Sequence, residues 1–243
     1  MGELYESPAI ARMVEEQWKK WLLLTQRKTG ERHDPKPFPT VTISRERGSG
    51  GGLIGQQVAE QLRFHLLDSE IVDYVARSAS VDRLAVEHMD EQSQRSIKEK
   101  AERVIQQRAF SSQSYMAHLT KAISAVGEKG RAVVVGRGAH LILPPDRCFR
   151  VRTIAPPEVR IQRLCAHAGL PPPEAERMIT ETDRQRTQFI QENFHQSDGN
   201  PLLYDLVINT GEIAIETASE LIVKAVLARF PQVHETKAEA AKI

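Results

Sequence analysis

Four glycines lie within five positions, from Gly48 to Gly52, directly after an apolar run that begins at Val41. The run has the pattern of a buried strand, and residues 54–62 then place apolar side chains at helical spacing. In a strand–turn–helix unit, glycines adopt positive φ and present bare N–H groups, and the helix adds the positive end of its dipole. We therefore predict a phosphate-binding loop formed by Gly48, Ser49, Gly50, Gly51 and Gly52. The alternative is a flexible glycine-rich turn that binds no ligand.

The loop departs from G-x-x-x-x-G-K-[ST], the common phosphate-loop pattern. Gly51 stands at the lysine position, and Gly52 and Leu53 follow where a hydroxyl group for Mg²⁺ is expected. Arg45 stands where the first glycine would be, at the carboxyl end of the first predicted strand, which is where open α/β sheets bind ligands. We predict that Arg45 supplies the missing cation, and that the turn rotates Arg47 away.

Two further candidate site residues, Asp68 and Arg137, lie at the ends of later apolar runs. Asp68 closes the run 64–68, and its carboxylate either faces a substrate or caps the helix that follows. Arg137 lies between two glycines after the buried-strand pattern of residues 132–135. Flanking glycines let a guanidinium approach a planar acceptor such as a phosphate, so Arg137 is a candidate for substrate binding. A surface arginine in a turn is the alternative.

Residues 174–193 have the pattern of one helix that carries Asp183, Arg184 and Arg186. Beside a phosphate loop, such a helix can close over a transferring phosphoryl group and neutralise its charge. Asp183 would then orient one of the arginines. A solvated helical surface is the alternative, because charge of this density is common on exposed helices.

The elements that position these residues alternate as strand and helix, which predicts an α/β fold with a parallel sheet flanked by helices. Ahead of it, residues 8–28 form an amphipathic pattern with Trp18 and Trp21 on the apolar face, and a proline-rich linker follows. This N-terminal helix packs on its own domain, forms a homodimer contact or docks a partner. The resulting division is 1–39 for the helix and linker, 40–232 for the main domain and 233–243 for a tail.

Charge and cysteine usage narrow the class of protein. Lys and Arg number 33 against 32 Asp and Glu, a net charge of +1, which argues against bulk attraction to nucleic acid or to an anionic membrane. The two cysteines, Cys148 and Cys165, make no disulfide framework and fit a reducing cytoplasm. No apolar run has the length of a membrane span or the form of a signal peptide, so we expect a cytoplasmic protein.

The motifs in this order resemble the cytidylate kinase-like family, relatives of cytidylate kinase among the P-loop nucleoside-monophosphate kinases. The matching stretches are Ile-Ser-Arg-Glu-x-Gly-Ser-Gly-Gly from Ile43, Gly136-Arg-Gly138, Asp183-Arg-x-Arg186 and the run from Tyr204 to Thr210. The resemblance implies a P-loop NTPase-type parallel sheet flanked by helices. It also implies a helical NMP-binding insertion at about residues 70–125 and a small lid at about 165–195.

The resemblance further implies an ATP-dependent phosphotransferase that uses Mg²⁺ and acts on a nucleoside monophosphate, with CMP or dCMP foremost. Asp68 and Arg137 match positions on the acceptor side, whereas Arg184 and Arg186 match lid arginines. The ligands of the metal are not identified. Because the lysine and the hydroxyl are replaced, the alternative function is a catalytically weak or inactive nucleotide-binding sensor that uses the same cleft.

Overall fold

The computed structural model describes residues 38–68 and 112–233. The predicted N-terminal helix at 8–28, the greater part of the predicted insertion at 70–125 and nearly all of the tail lie outside the described residues. The described strands are β1 (Thr40–Arg45), β2 (His65–Leu67), β3 (Ala132–Val135), β4 (Cys148–Ile154) and β5 (Leu206–Asn209). The helices are α1 (Gly51–Leu62), α2 (Ser112–Lys129), α3 (Ala139–Ile142), α4 (Pro157–Ala168), α5 (Pro172–Phe194) and α6 (Ile215–Arg229), and a 3₁₀ turn spans Pro201–Leu203.

The five described strands form one parallel sheet in the order β2-β3-β1-β4-β5. From β1 the chain passes to β2 at one edge of the sheet and returns to β3 beside β1. After β3 it crosses to β4 on the other side of β1, so the direction of the connections reverses at β1. That reversal point is where open α/β sheets bind ligands. The predicted parallel sheet with flanking helices is confirmed, and it places the glycine loop at this point.

The core on one face of the sheet explains why α1 follows the loop so closely. Ile54, Val58 and Leu62 recur at four-residue spacing, and they pack with α6 on Val41 and Ile43 of β1. α1 also approaches β3 closely, because a Cβ at position 55 would lie 2.8 Å from Val135 Cγ2. The loop therefore joins two rigid elements and has little freedom of its own.

The other face of the sheet carries the elements that border the cleft. α3 packs on β1 and β4, and α2 packs on α3. Tyr115 of α2 meets Phe189 of α5 edge to face, with ring centroids 6.3 Å apart, and Phe189 meets Phe194 at 6.1 Å. Within the described part of the chain, no helix combines the length and the apolar character needed to cross a bilayer.

Candidate functional site

The glycine loop follows β1 and ends at the first turn of α1. Gly48 and Gly50 have φ of 83° and 82°, a region that glycine occupies without strain. Neither position has room for a side chain: a Cβ at Gly48 would lie 2.9 Å from Leu164 Cδ1, and one at Gly50 would overlap Ile215 Cδ1. Conformation and packing therefore both require glycine at these two predicted loop positions.

Hydrogen bonds from three neighbouring elements fix the loop. The buried Ser49 hydroxyl donates to the Glu46 carbonyl at 2.9 Å and lies 2.8 Å from Thr153 Oγ1 of β4. The Thr210 hydroxyl donates to the Ser49 carbonyl at 2.8 Å, and Arg163 of α4 donates to the Thr210 hydroxyl at 3.0 Å. The side chain and the main chain of Ser49 are thus both used to hold the shape of the loop, since its N–H also donates to the Glu46 carbonyl at 3.2 Å.

Arg45 occupies the space beside the vacant lysine position. A Cβ at Gly51 would lie 2.5 Å from Arg45 Cβ and 2.7 Å from Thr153 Oγ1, so the stem of Arg45 passes directly against Gly51. A Cβ at Gly136 would overlap the Arg45 guanidinium, and Arg45 Nη2 lies 3.9 Å from Asp68 Oδ1. The side chain therefore runs from the loop to the end of β3, and the structure brings Arg45, Gly51 and Asp68 together.

Arginines of α4 and α5 converge on the loop from its open side. Arg160 of α4 pairs with Asp183 of α5 and lies 3.7 Å from Glu46 Oε2. Asp183 Oδ1 also accepts a 2.7 Å hydrogen bond from the backbone N–H of Arg47. A carboxylate of the predicted lid thus rests on a main-chain donor of the loop, where an anion could otherwise bind.

The two predicted lid arginines lie in different environments. Arg186 donates to the Arg45 carbonyl at 3.1 Å and its side chain is only 14 % exposed. Arg184 is 47 % exposed and pairs with Glu181 of its own helix at 2.9 Å. The structure therefore brings Arg186 to the cleft and leaves Arg184 on the outer surface of α5.

A pocket of about 40 Å³ lies between β1, β3 and α5, and Arg45, Arg137 and Arg186 line it. Arg137 has φ of 60°, between Gly136 at 83° and Gly138 at 65°. Such a conformation costs an arginine roughly 1–2 kcal/mol, so surrounding structure must hold it. α5 rests on this turn, since a Cβ at Gly138 would lie 2.5 Å from Phe194 Cε2.

Two polar residues, His140 and Asp198, also line the pocket, and neither was predicted from the sequence. Asp198 follows α5 and accepts from Arg152 at 3.2 Å, and Arg152 also donates to Tyr204 Oη at 3.3 Å. His140 of α3 lies against the Tyr204 ring at 5.0 Å, and its Nε2 is buried with no hydrogen-bond partner.

His140 is neutral at physiological pH. Its pKa is lowered to about 4, first by burial and then by the guanidiniums of Arg152 and Arg150, with Asp198 acting in the opposite direction. A neutral imidazole can donate or accept one hydrogen bond at Nε2. A buried group of this kind normally has a partner, and His140 belongs to the residues that line the pocket.

The first turn of α1 offers Mg²⁺ no side-chain oxygen. At position 52, which follows the vacant lysine position, a Cβ would have no atom within 4 Å, and Leu53 carries no hydroxyl and is 51 % exposed. Among residues 38–68 and 112–233, no three His, Cys, Asp or Glu side chains are grouped so that they could hold a metal. Of the acids beside the loop, Glu46 and Asp183 are bound to Arg160, and Asp68 lies beside Arg45.

Comparisons with known proteins give one matching family and several proteins of similar structure. A family model described as the cytidylate kinase-like family matches residues 40–212. An uncharacterized protein from Eubacterium ventriosum shares the fold with a TM-score of 0.60 and 20% identity, over 77% of this chain and 98% of that one. Shikimate kinase from Acinetobacter baumannii aligns with a TM-score of 0.45 and 15% identity, over 79% of this chain and 95% of that one.

One curated relative covers a shorter stretch. Uronate isomerase from Corynebacterium glutamicum is 30% identical over 110 residues, which is 45% of this chain and 21% of the relative. The chain thus spans about a fifth of the length of the curated relative that it matches.

Proposed function

The chain belongs to the cytidylate kinase-like family, and we propose that it is an ATP-dependent phosphotransferase that acts on a nucleoside monophosphate, with CMP or dCMP as the leading acceptor. In this proposal the loop from Gly48 to Gly52 binds the donor phosphates through its main chain. The acceptor phosphate enters the pocket lined by Arg45, Arg137 and Arg186. Asp68 stands beside Arg45 on the acceptor side.

The observation that carries this proposal is the path of Arg45. Its stem fills the space against Gly51 and its guanidinium lies against Gly136, between the loop and the acceptor pocket. A phosphoryl group that passes from the loop to the pocket must cross that boundary. In phosphoryl transfer, charge is spread over the three equatorial oxygens, and a planar guanidinium with several donors suits that distribution. Arg45 would thus stabilise the transition state in place of the lysine.

Arg186 supplies a second guanidinium at the same boundary, since it donates to the Arg45 carbonyl and lines the pocket. Asp183, three residues earlier on α5, lies 4.0 Å from Arg186 and would orient it. Arg184 reaches the cleft only if α5 moves, and its proposed role as a lid arginine depends on that movement.

A movement of α5 follows from the size of the pocket. Small-molecule sites measure roughly 300–1,000 Å³, whereas the pocket beneath α5 measures about 40 Å³. The described pocket therefore does not enclose a whole nucleoside monophosphate while Phe194 and Ile190 rest on the Gly136–Gly138 turn. We infer that α5 opens to admit the acceptor and closes over it, which excludes water from the transfer.

A turnover assay tests the proposal. The purified chain is incubated with ATP or GTP and with each of CMP, dCMP, UMP, AMP and GMP, and nucleoside diphosphate products are measured. A hexuronate belongs in the acceptor panel, because the curated relative is named for uronate. We expect transfer to a monophosphate well above the rate of nucleotide hydrolysis in its absence. Transfer to the hexuronate alone would replace the proposed acceptor class.

The alternative function is a nucleotide-binding sensor with little or no turnover. It is favoured by the contact of Asp183 with the backbone N–H of Arg47, which holds α5 on the loop. A sensor would bind nucleotide in the loop and release α5 without transferring a phosphoryl group. Tight nucleotide binding with no product for any acceptor would favour the sensor over the kinase.

A further inference from the structure

We propose that the backbone N–H of Arg47 and the guanidinium of Arg160 form a phosphate subsite beside the glycine loop, and that the carboxylate of Asp183 occupies this subsite until a nucleotide phosphate displaces it. The inference rests on the proposed function, since the ligand is the same nucleotide. It adds two phosphate donors outside the loop, and it gives Asp183 a second role as a competing anion carried by α5.

The contacts of Asp183 are those of a bound anion. Its Oδ1 accepts from the backbone N–H of Arg47 at 2.7 Å, and its Oδ2 accepts from Arg160 Nη1. Arg47 immediately precedes Gly48, so this N–H lies at the start of the glycine loop. Main-chain N–H groups and guanidiniums bind phosphate oxygens as well as carboxylates. The same two donors can therefore bind a phosphate in place of Asp183.

Both donors are also held by contacts that do not involve this carboxylate. Arg160 is 11 % exposed, its Nη1 donates to the Arg47 carbonyl at 3.4 Å, and its Nε lies 3.7 Å from Glu46 Oε2. The Glu46 carboxylate accepts from the backbone N–H of Ala155 at 3.1 Å. The backbone before Arg47 is fixed to β4, because the Glu46 N–H donates to the Thr153 carbonyl at 3.1 Å. The subsite should therefore keep its shape when the carboxylate leaves.

Arg160 also has donor capacity that Asp183 does not use. In the part of the chain that the structure describes, Arg160 Nε is buried and has no hydrogen-bond partner. A phosphate group has three terminal oxygens and a charge of about −2, against two oxygens and a single charge for a carboxylate. Charge-assisted hydrogen bonds from the same donors are therefore stronger to the phosphate, which favours the exchange.

The packing of α5 does not depend on Asp183. Ala175 and Ile179 of this helix are buried against Leu164 of α4, and Phe194 lies close to Gly138. The side chain of Asp183 is 26 % exposed and belongs to neither contact. A substitution of Asp183 should therefore leave the helix folded and report on the subsite.

Competition within the chain weakens the apparent affinity for nucleotide. A ligand that must displace a bound group meets a competent site in only a fraction of the molecules, and its apparent Kd rises accordingly. Asp183→Asn keeps the size of the side chain and removes its charge, so the side chain competes less strongly for Arg160. The variant should therefore bind phosphate-bearing ligands more tightly than the wild type does.

Calorimetry of the full-length chain tests the inference with ATP, tripolyphosphate and adenosine. We expect Asp183→Asn to lower the Kd for ATP and for tripolyphosphate by about threefold to thirtyfold, as for the loss of one partly exposed charge-assisted contact. It should not strengthen the binding of adenosine, which has no phosphate. An ATP affinity that is unchanged or weaker, or an equal gain for adenosine, would overturn the inference and leave the proposed kinase intact. If neither protein bound ATP, the nucleotide-binding function would fail and the inference with it.

Two further variants separate the subsite from bulk charge. Glu176→Gln removes an exposed acid from the same helix and should change the Kd for ATP by less than about twofold. Arg160→Gln should weaken ATP binding roughly tenfold, and in its background the gain from Asp183→Asn should disappear, because the two residues act on one site. An equal gain for Glu176→Gln, or a full gain without Arg160, would contradict the inference. Far-ultraviolet circular dichroism checks that every variant folds.

Discussion

The two sides of the carboxyl end of β1 differ in how completely their polar groups are paired. On the loop side, Ser49, Thr153 and Thr210 hydrogen-bond to one another or to the loop backbone, and Arg163 holds Thr210. On the pocket side, Arg137 has a left-handed backbone and His140 Nε2 is buried without a partner. The loop is thus complete before ligand arrives, whereas the pocket holds strain and an unused hydrogen bond that an acceptor could relieve.

Arg45 is the residue that the two sides share, since its stem lies against the loop and its guanidinium lies against Gly136. We expect Arg45→Ala to lower the single-turnover rate of phosphoryl transfer by about two to three orders of magnitude, as for the loss of a transition-state charge. The matched control is Arg47→Ala, because Arg47 is exposed and its guanidinium contacts Met178 of α5. Equal, small effects of the two substitutions would reject Arg45 as the substitute for lysine.

The next largest effect on turnover should distinguish a substitution of Arg186 from one of Arg184. We expect Arg186→Ala to lower turnover by roughly tenfold to a hundredfold with little change in nucleotide affinity, because a donor at the cleft serves the transition state. Arg184→Ala should cost less, since Arg184 is exposed and paired with Glu181. Steady-state kinetics of both variants provide the measurement. A loss for Arg184→Ala as large as that for Arg186→Ala would mean that α5 rotates on closure.

Stability at mildly acidic pH tests whether the pocket side is buried as described. The pKa of His140 is about 4 in the folded chain, below its ordinary value of 6.5. The unfolded chain therefore binds a proton that the folded chain does not, and stability falls as the pH drops from 6.5 toward 4. Between pH 7 and pH 5 this amounts to about 2 kcal/mol. Urea unfolding at pH 7 and at pH 5 should show that the wild type loses about 2 kcal/mol more stability between the two pH values than His140→Phe does.

The smallest effect should fall on the affinity for the acceptor. His140→Phe keeps an aromatic ring against Tyr204 but removes Nε2, so we expect the KM for the acceptor to rise about threefold to tenfold, the worth of one hydrogen bond. The KM for ATP should not change. His167→Phe, at an exposed position of α4, is the control. An acceptor KM that is unaltered in His140→Phe would mean that water satisfies Nε2 in the working enzyme.

The sequence predicted the framework well because the framework follows local patterns. The bounds predicted for β3 at residues 132–135 match the observed strand, and the helix predicted at 174–193 is observed as Pro172–Phe194. An apolar run fixes a buried strand, and apolar spacing fixes a helix, without knowledge of distant residues. The strand–loop–helix unit was recognisable for the same reason.

The orientation of the site residues could not be read from local patterns in the same way. Residues two apart on a helix point in different directions, so Arg184 and Arg186 could not both face one cleft. Which of them does so depends on where α5 packs. His140 and Asp198 meet only after folding, because they belong to segments separated by the whole of β4, α4 and α5. Their shared role in lining the pocket had no sequence signal.

The close contact between Arg45 and Gly51 has a consequence for engineering of the loop. A Cβ at position 51 would lie 2.5 Å from Arg45 Cβ and 2.7 Å from Thr153 Oγ1. Because both atoms belong to neighbouring strands of the sheet, a lysine introduced at position 51 would push the loop away from β1 and β4. Restoring the lysine alone is therefore expected to destabilise the loop, and a working lysine would need compensating changes in the two strands.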